Sequence, residues 1–172
     1  HLGARPVLVD YVRGRVDLSN TAVVSPDAGR IRVAEKWSKK LCGAPLAFVH
    51  KTRDTTRPNV AVANRVVGEV TGKECVLVDD MIDTAGTITE AIKVLMDAGA
   101  KKVIVVATHG ILSDPATRRL SESGAAEVVV TDTLPIPAEK RFDQLTVLSI
   151  APLLARAIRE VFEDGSVTSL FN

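Results

Sequence analysis

Residues 76–87 read Val76-Leu77-Val78-Asp79-Asp80-Met81-Ile82-Asp83-Thr84-Ala85-Gly86-Thr87. The opening aliphatic run predicts a buried parallel strand, and the carboxylates, threonines and glycine that follow stand where such a strand ends. Ile88, Ala91, Ile92, Leu95 and Met96, closed by Ala98-Gly99, then predict a helix. Thr84 to Thr87 therefore fall at a helix N-terminus, where free backbone N–H groups and the positive end of the helix dipole favour an anion, most simply a phosphate. Gly86 permits close backbone approach, and the threonine hydroxyls add donors. Asp79, Asp80 and Asp83 repel a bare anion. The pattern thus points to a ligand with two ends, a phosphate on the N–H groups and hydroxyls or a metal on the carboxylates, as in a sugar phosphate. At this level two other readings stay open. Acid pairs also close strands in phosphoacceptor receivers and magnesium-dependent hydrolases, and Thr-x-Gly-Thr also serves as a plain helix cap. In receivers, however, the pair follows the first strand, whereas here some seventy residues precede it.

Outward from this run the chain alternates strands and helices. Pro6 to Arg13 predicts a short helix and Thr21 to Val24 a strand. That strand ends in Ser25-Pro26-Asp27-Ala28-Gly29, followed by a helix from about Arg30 to Leu41. Asp27 reads equally as a helix cap and as a functional carboxylate. Leu46 to Val49 predicts a strand entering the charged, aperiodic run His50 to Asn59, read as a surface loop that either is simply solvated or carries Lys51 and Arg53 over a phosphate site. Asn64 to Val70 alternates as a hairpin arm. Further strands are expected at Val103 to Ala107, Val128 to Val130 and Leu145 to Ile150, with helices at Asp114 to Ser123 and Pro152 to Phe162. His109 lies at a strand end, where it either borders the site or has a structural role. The expected fold is α/β, a doubly wound and mainly parallel sheet with helices on both faces, as one domain over residues 1–172.

Composition excludes several function classes. With 22 basic and 21 acidic residues the net charge is +1, so no bulk field recruits nucleic acid or an anionic membrane. Aromatics at 3% are too few for stacking platforms. Cys42 and Cys75 lack metal-ligand spacing and read as buried, reduced thiols. No apolar run has the length of a membrane span and no signal peptide is evident, which makes the cytoplasm the expected location. The chain starts His1-Leu2-Gly3 without methionine, so it is expected to be processed or part of something longer.

Residues 76–87 resemble the PRPP-binding loop of the type I phosphoribosyltransferase fold. Val24-Ser25-Pro26-Asp27-Ala28-Gly29, His50-Lys51-Thr52-Arg53, Ala107-Thr108-His109-Gly110-Ile111 with Ser113-Asp114-Pro115-Ala116, and the tail Gly165 to Phe171 resemble, in that order, the ribose-phosphate diphosphokinase (PRPP synthetase) family. The resemblance implies transfer of the β,γ-diphosphoryl group of ATP to the anomeric hydroxyl of ribose 5-phosphate, with Mg2+. It assigns the 5-phosphate to Asp83, Thr84, Ala85, Gly86 and Thr87, and the ribose hydroxyls to Asp79. Lys51 becomes the catalytic lysine of a flexible loop, Arg53 its partner on the substrate, and Asp27 the metal ligand. Asp80, adjacent to Asp79, is expected to point to the other side of the strand, which leaves it and His109 as supporting residues. The family implies a homo-oligomer, commonly a hexamer, with a regulatory nucleotide site near Ser166 to Phe171. It also implies a second, N-terminal domain with most adenine contacts, so that this chain is expected to be a C-terminal portion inactive on its own. Arg30 departs from the family, which often has a second glycine there. A non-catalytic PRPP or nucleotide sensor and a nucleobase phosphoribosyltransferase are the alternatives.

Overall fold

The computed structural model describes residues 2–52 and 63–168. Among them, seven strands form one sheet with the order β3-β2-β1-β4-β5-β6-β7. The strands are β1 Thr21–Ser25, β2 Leu46–Thr52, β3 Ala63–Val67, β4 Glu74–Ile82, β5 Lys102–Gly110, β6 Glu127–Thr131 and β7 Leu145–Leu148. All neighbours pair in parallel except β2 and β3, which form the antiparallel arm that the alternation predicts. The helices are α1 Arg5–Arg13, α2 Ile31–Lys40, α3 Gly86–Asp97, α4 Ala116–Ser121 and α5 Ala151–Phe162.

Alternation along the central strands builds two cores. Cys75, Leu77, Val103 and Val105 face Ile88, Ala91, Ile92 and Leu95 of α3 together with Ala116 and Leu120 of α4. Val76, Val78, Ile104 and Val106 face Leu8, Val9 and Val12 of α1 together with Ala34 and Trp37 of α2. Because both faces are covered, β4 reads as a continuous apolar run, and each large aliphatic side chain so buried contributes roughly 1.5–3 kcal/mol. The two helices that follow β1 and β4 lie on opposite faces of neighbouring strands. Their separation opens a crevice at the carboxyl ends of β1 and β4, the topological switch point of the sheet.

Several boundaries differ from the sequence expectation. β4 continues through Asp79 and Asp80 to Ile82, and β5 through Thr108 and His109 to Gly110, because pairing persists as far as Ile82 opposite Gly110. At the carboxyl edge polar side chains reach solvent while their backbone stays in the ladder, so polarity misplaces the strand end. In the same way β2 runs through His50 and Lys51 to Thr52, paired with β3. α4 begins at Ala116, with Pro115 just ahead of its first turn instead of inside it. Cys42 is exposed, not buried, on a left-handed turn with φ 56° after α2. Cys75 is buried as expected, and that burial pushes its thiol up to about 11.

The β3 arm closes on Gly68, where φ is 109° and a Cβ would stand 2.6 Å from the Leu46 carbonyl oxygen and 2.8 Å from Ala47 Cα. Both neighbours are backbone and cannot turn aside. Gly68→Ala is therefore expected to destabilise the chain by about 3 kcal/mol in denaturant unfolding. A loss below about 1 kcal/mol would contradict this close approach.

Candidate functional site

The cleft at the switch point has a volume of about 220 Å³ and is lined by Asp27 and Arg30 from the turn after β1 and by residues 79–88 from the end of β4 and the start of α3. Of the residues singled out in the sequence, it brings together Asp27, Asp79, Asp80, Asp83, Thr84, Ala85, Gly86 and Thr87. They reach one place because two parallel neighbours, β1 and β4, release their polar turns at the same edge.

At one end of the cleft, α3 starts at Gly86 with Ala85 ahead of it in the left-handed region, φ 60°. The expected helix N-terminus is thus in place. The carbonyl of Ala85 accepts from Thr89 N–H at 2.9 Å and from Thr89 Oγ1 at 3.0 Å, and that of Gly86 from the same hydroxyl at 3.2 Å. The carbonyl of Thr84 accepts from Arg119 Nη1 of α4 at 3.0 Å. Asp83, Thr84 and Thr87 are exposed, and Ala85 is buried.

At the other end, Asp79 is largely enclosed and Oδ1 accepts the Asp80 N–H at 2.8 Å. Burial, reinforced by the Asp80 carboxylate beside it, pushes the Asp79 carboxyl up to about 6, against an ordinary 3.8, and the Asp80 N–H and the Arg30 guanidinium partly offset the rise. Arg30 Nη2 lies 2.8 Å from Asp80 Oδ2, and its Nε lies 3.6 Å from Asp79 Oδ1. Asp80, expected to point to the other side of the strand, lines the cleft together with Asp79, and near the end of β4 one planar guanidinium reaches both carboxylates. Arg30 is itself held by the turn, because Asp27 Oδ1 accepts the N–H groups of Gly29 at 2.8 Å and Arg30 at 3.2 Å. Asp27 is thus a cap, as one of its two sequence readings has it, and it also lines the cleft.

His109 does not line the cleft. Its Nδ1 lies 2.9 Å from Thr133 Oγ1, in a group of hydroxyls that also ties Thr131 to the Thr108 carbonyl at 2.6 Å. Lys51 has its backbone in β2 opposite Asn64. The last pairing of β2 with β1 is Phe48 with Ser25, so strand rise carries Lys51 roughly 10 Å past it on the cleft's edge of the sheet. Arg53 and the rest of residues 53–62, and Ser169 to Phe171, lie outside the described residues.

Sequence reasoning missed Arg119, which meets Thr84 across 35 positions. No local pattern marks it, since its role depends on how α4 packs beside α3. Arg30 was visible only as a departure from a glycine, not as the partner of two aspartates.

The family described as the phosphoribosyl synthetase-associated domain matches residues 46–172. The chain belongs to this family. A ribose-phosphate pyrophosphokinase of Bifidobacterium longum is 73% identical over 174 residues, which cover 100% of this chain and 51% of that protein. The crystal structure of phosphoribosylpyrophosphate synthetase from Mycobacterium smegmatis superimposes with a TM-score of 0.84 at 59% identity, over 94% of this chain and 51% of that one. The chain thus spans about half the length of these phosphoribosyl synthetase relatives. Orotate phosphoribosyltransferase from Aeropyrum pernix, at 18% identity and a TM-score of 0.53 over 95% of this chain and 78% of that one, shares the fold alone. The α/β architecture read from the strand and helix rhythm is therefore that of the phosphoribosyltransferases and phosphoribosyl synthetases.

Proposed function

We propose that the chain carries the ribose 5-phosphate side of a ribose-phosphate diphosphokinase site, as a single domain forming one half of a longer enzyme. The observation that carries this reading is the meeting of the Asp27 turn and the Asp79 to Thr87 loop in one cleft at the switch point. The high identity to ribose-phosphate pyrophosphokinases supports it.

In the proposed reaction the C1 hydroxyl oxygen of ribose 5-phosphate bonds to Pβ of ATP as the bond from Pβ to the oxygen bridging Pα breaks. AMP leaves with that oxygen, the hydroxyl gives up its proton to water, and PRPP forms. Residues 83–87 hold the 5-phosphate on backbone N–H groups and hydroxyls, and Asp79 accepts from the ribose hydroxyls, which fixes C1. Asp80, paired with Arg30, supports Asp79, and His109 steadies the neighbouring strand end. Lys51 and Arg53 neutralise charge on the transferring group, and Arg53 also contacts the sugar phosphate.

Among the described residues four carboxylates against one guanidinium line the cleft, an excess of hard oxygen donors that suits magnesium and disfavours an unaccompanied polyphosphate. Among the described residues no three His, Cys, Asp or Glu side chains converge closely enough to hold a metal by themselves. Asp27 would hold Mg2+, which when bound would neutralise phosphoryl charge. ATP is the second substrate, a homo-oligomer the assembly, hexameric in the family, and the cytoplasm the location. No helix among the described residues is long and apolar enough to cross a membrane.

The test uses a chimera in which this chain replaces the matching half of the Bifidobacterium longum relative, incubated with ATP, Mg2+ and ribose 5-phosphate. AMP and PRPP should appear together and only when ribose 5-phosphate is present. PRPP plus a nucleobase yielding a nucleotide would instead make it a phosphoribosyltransferase, and binding without turnover a sensor. The 172-residue chain alone is expected to bind ribose 5-phosphate but make no PRPP.

A further inference from the structure

We infer that Arg119 is a positioning residue that fixes the polarity of the anion loop, an inference that rests on the ribose 5-phosphate reading above. Arg119 is absent from the cleft lining, so it acts from behind the loop. It is presented by α4, whose Ala116 and Leu120 are fully buried in the core shared with α3. From there Nη1 donates to the Thr84 carbonyl oxygen at 3.0 Å. The same nitrogen would stand 3.6 Å from a Cβ on Gly86, so the guanidinium packs against the open side of that glycine.

The C=O and N–H of a trans peptide point in opposite directions. Drawing the Thr84 carbonyl toward α4 therefore turns the Ala85 N–H the other way, to the cleft that Thr84, Ala85 and Gly86 line. The carbonyls of Ala85 and Gly86 are already engaged by Thr89 within α3. Thr84 lies outside the helix and depends on a partner from elsewhere. Rotation of that one peptide would replace a donor by an acceptor facing the ligand, a change of sign at the point where an anion binds.

Ala85 makes such a hold necessary. Its φ of 60° is unfavourable for a residue with a Cβ. A hydrogen bond from a charged donor offsets it. The bond thus retains a strained loop in the form that aims its N–H groups outward.

The test uses the 172-residue chain, 15N-labelled and titrated separately with ribose 5-phosphate and inorganic phosphate. Both ligands should move the Ala85, Gly86 and Thr87 amide resonances downfield. Arg119→Ala should weaken ribose 5-phosphate about 10-fold and abolish the Ala85 shift, while Gly86 and Thr87 still respond. Arg119→Gln, which keeps a donor without the charge, should restore most of both, and Arg118→Ala should match the unsubstituted chain. If Arg119→Ala melts early, Arg119→Leu, which keeps an aliphatic stem, repeats the comparison. An unchanged Ala85 shift and affinity in the Ala or Leu variant overturns the inference, and so does an equal loss in Arg119→Gln, which would make the effect one of charge alone. No saturable response to either ligand in the unsubstituted chain overturns the ribose 5-phosphate reading itself, and this inference with it.

Discussion

Asp79→Asn is expected to weaken ribose 5-phosphate binding roughly 100-fold while making the free chain harder to unfold at pH 7. The loss follows from the proposed role of Asp79, in which a neutral amide would replace an anionic acceptor of ribose hydroxyls. The gain follows from burial. The folded chain holds the Asp79 proton up to about pH 6, whereas an ordinary carboxyl releases it near 3.8. The native state therefore binds more protons than the unfolded chain between those values, and stability falls as pH rises through that window. Above pH 6 the full penalty is present, and below about 4 it is gone. Two pKa units correspond to at most roughly 3 kcal/mol, and solvent screening at this partly exposed carboxyl reduces the figure to about 1–2 kcal/mol. Asparagine carries no such penalty, so the variant should melt several degrees higher at pH 7 and near the unsubstituted chain at pH 4. Melting curves at the two pH values, with calorimetric titration of ribose 5-phosphate at pH 7, decide the matter. Equal melting at both pH values would contradict the buried-carboxylate account, and undiminished affinity would remove Asp79 from the ribose site.

Lys51→Ala in the chimera is expected to lower turnover by about a thousandfold while changing the KM for ribose 5-phosphate only a few-fold. The cation has most to do when charge accumulates on the transferring diphosphoryl group, and a group that acts only then lowers kcat without lowering ground-state affinity. The cleft heightens this dependence, since the one guanidinium among its described lining residues is engaged with two of the four carboxylates there. Extra positive charge has to come from beyond the cleft lining, and the β2 backbone carries Lys51 past the edge of the sheet beside the Asp27 turn. Steady-state kinetics with AMP release as the readout test this. Parallel losses in kcat and affinity would assign Lys51 to substrate binding.

Much of this site was legible in the order of residues because it is built from short contiguous pieces. Asp79 to Thr87 combines a strand end, a turn and a helix start, each specified by neighbours a few positions apart. The Asp27 turn was legible for the same reason, and so were the two cores, which follow from apolar period. Strand ends were less so. β4 and β5 outrun their apolar centres because parallel pairing continues where burial stops, and hydrogen-bond pairing leaves no mark on side-chain polarity.

The sequence by itself determined that a parallel α/β sheet would place a helix N-terminus after an acid-rich strand end, since strand period, helix period and glycine placement are local properties. Only the tertiary structure decided which distant charges meet there. Arg30 bridges Asp79 and Asp80 because β1 is the sheet neighbour of β4, and Arg119 holds the Thr84 carbonyl because α4 packs beside α3. Both contacts depend on the order of strands and on which face each helix covers. Those are choices made by burial over the whole chain, and no single stretch of residues contains them.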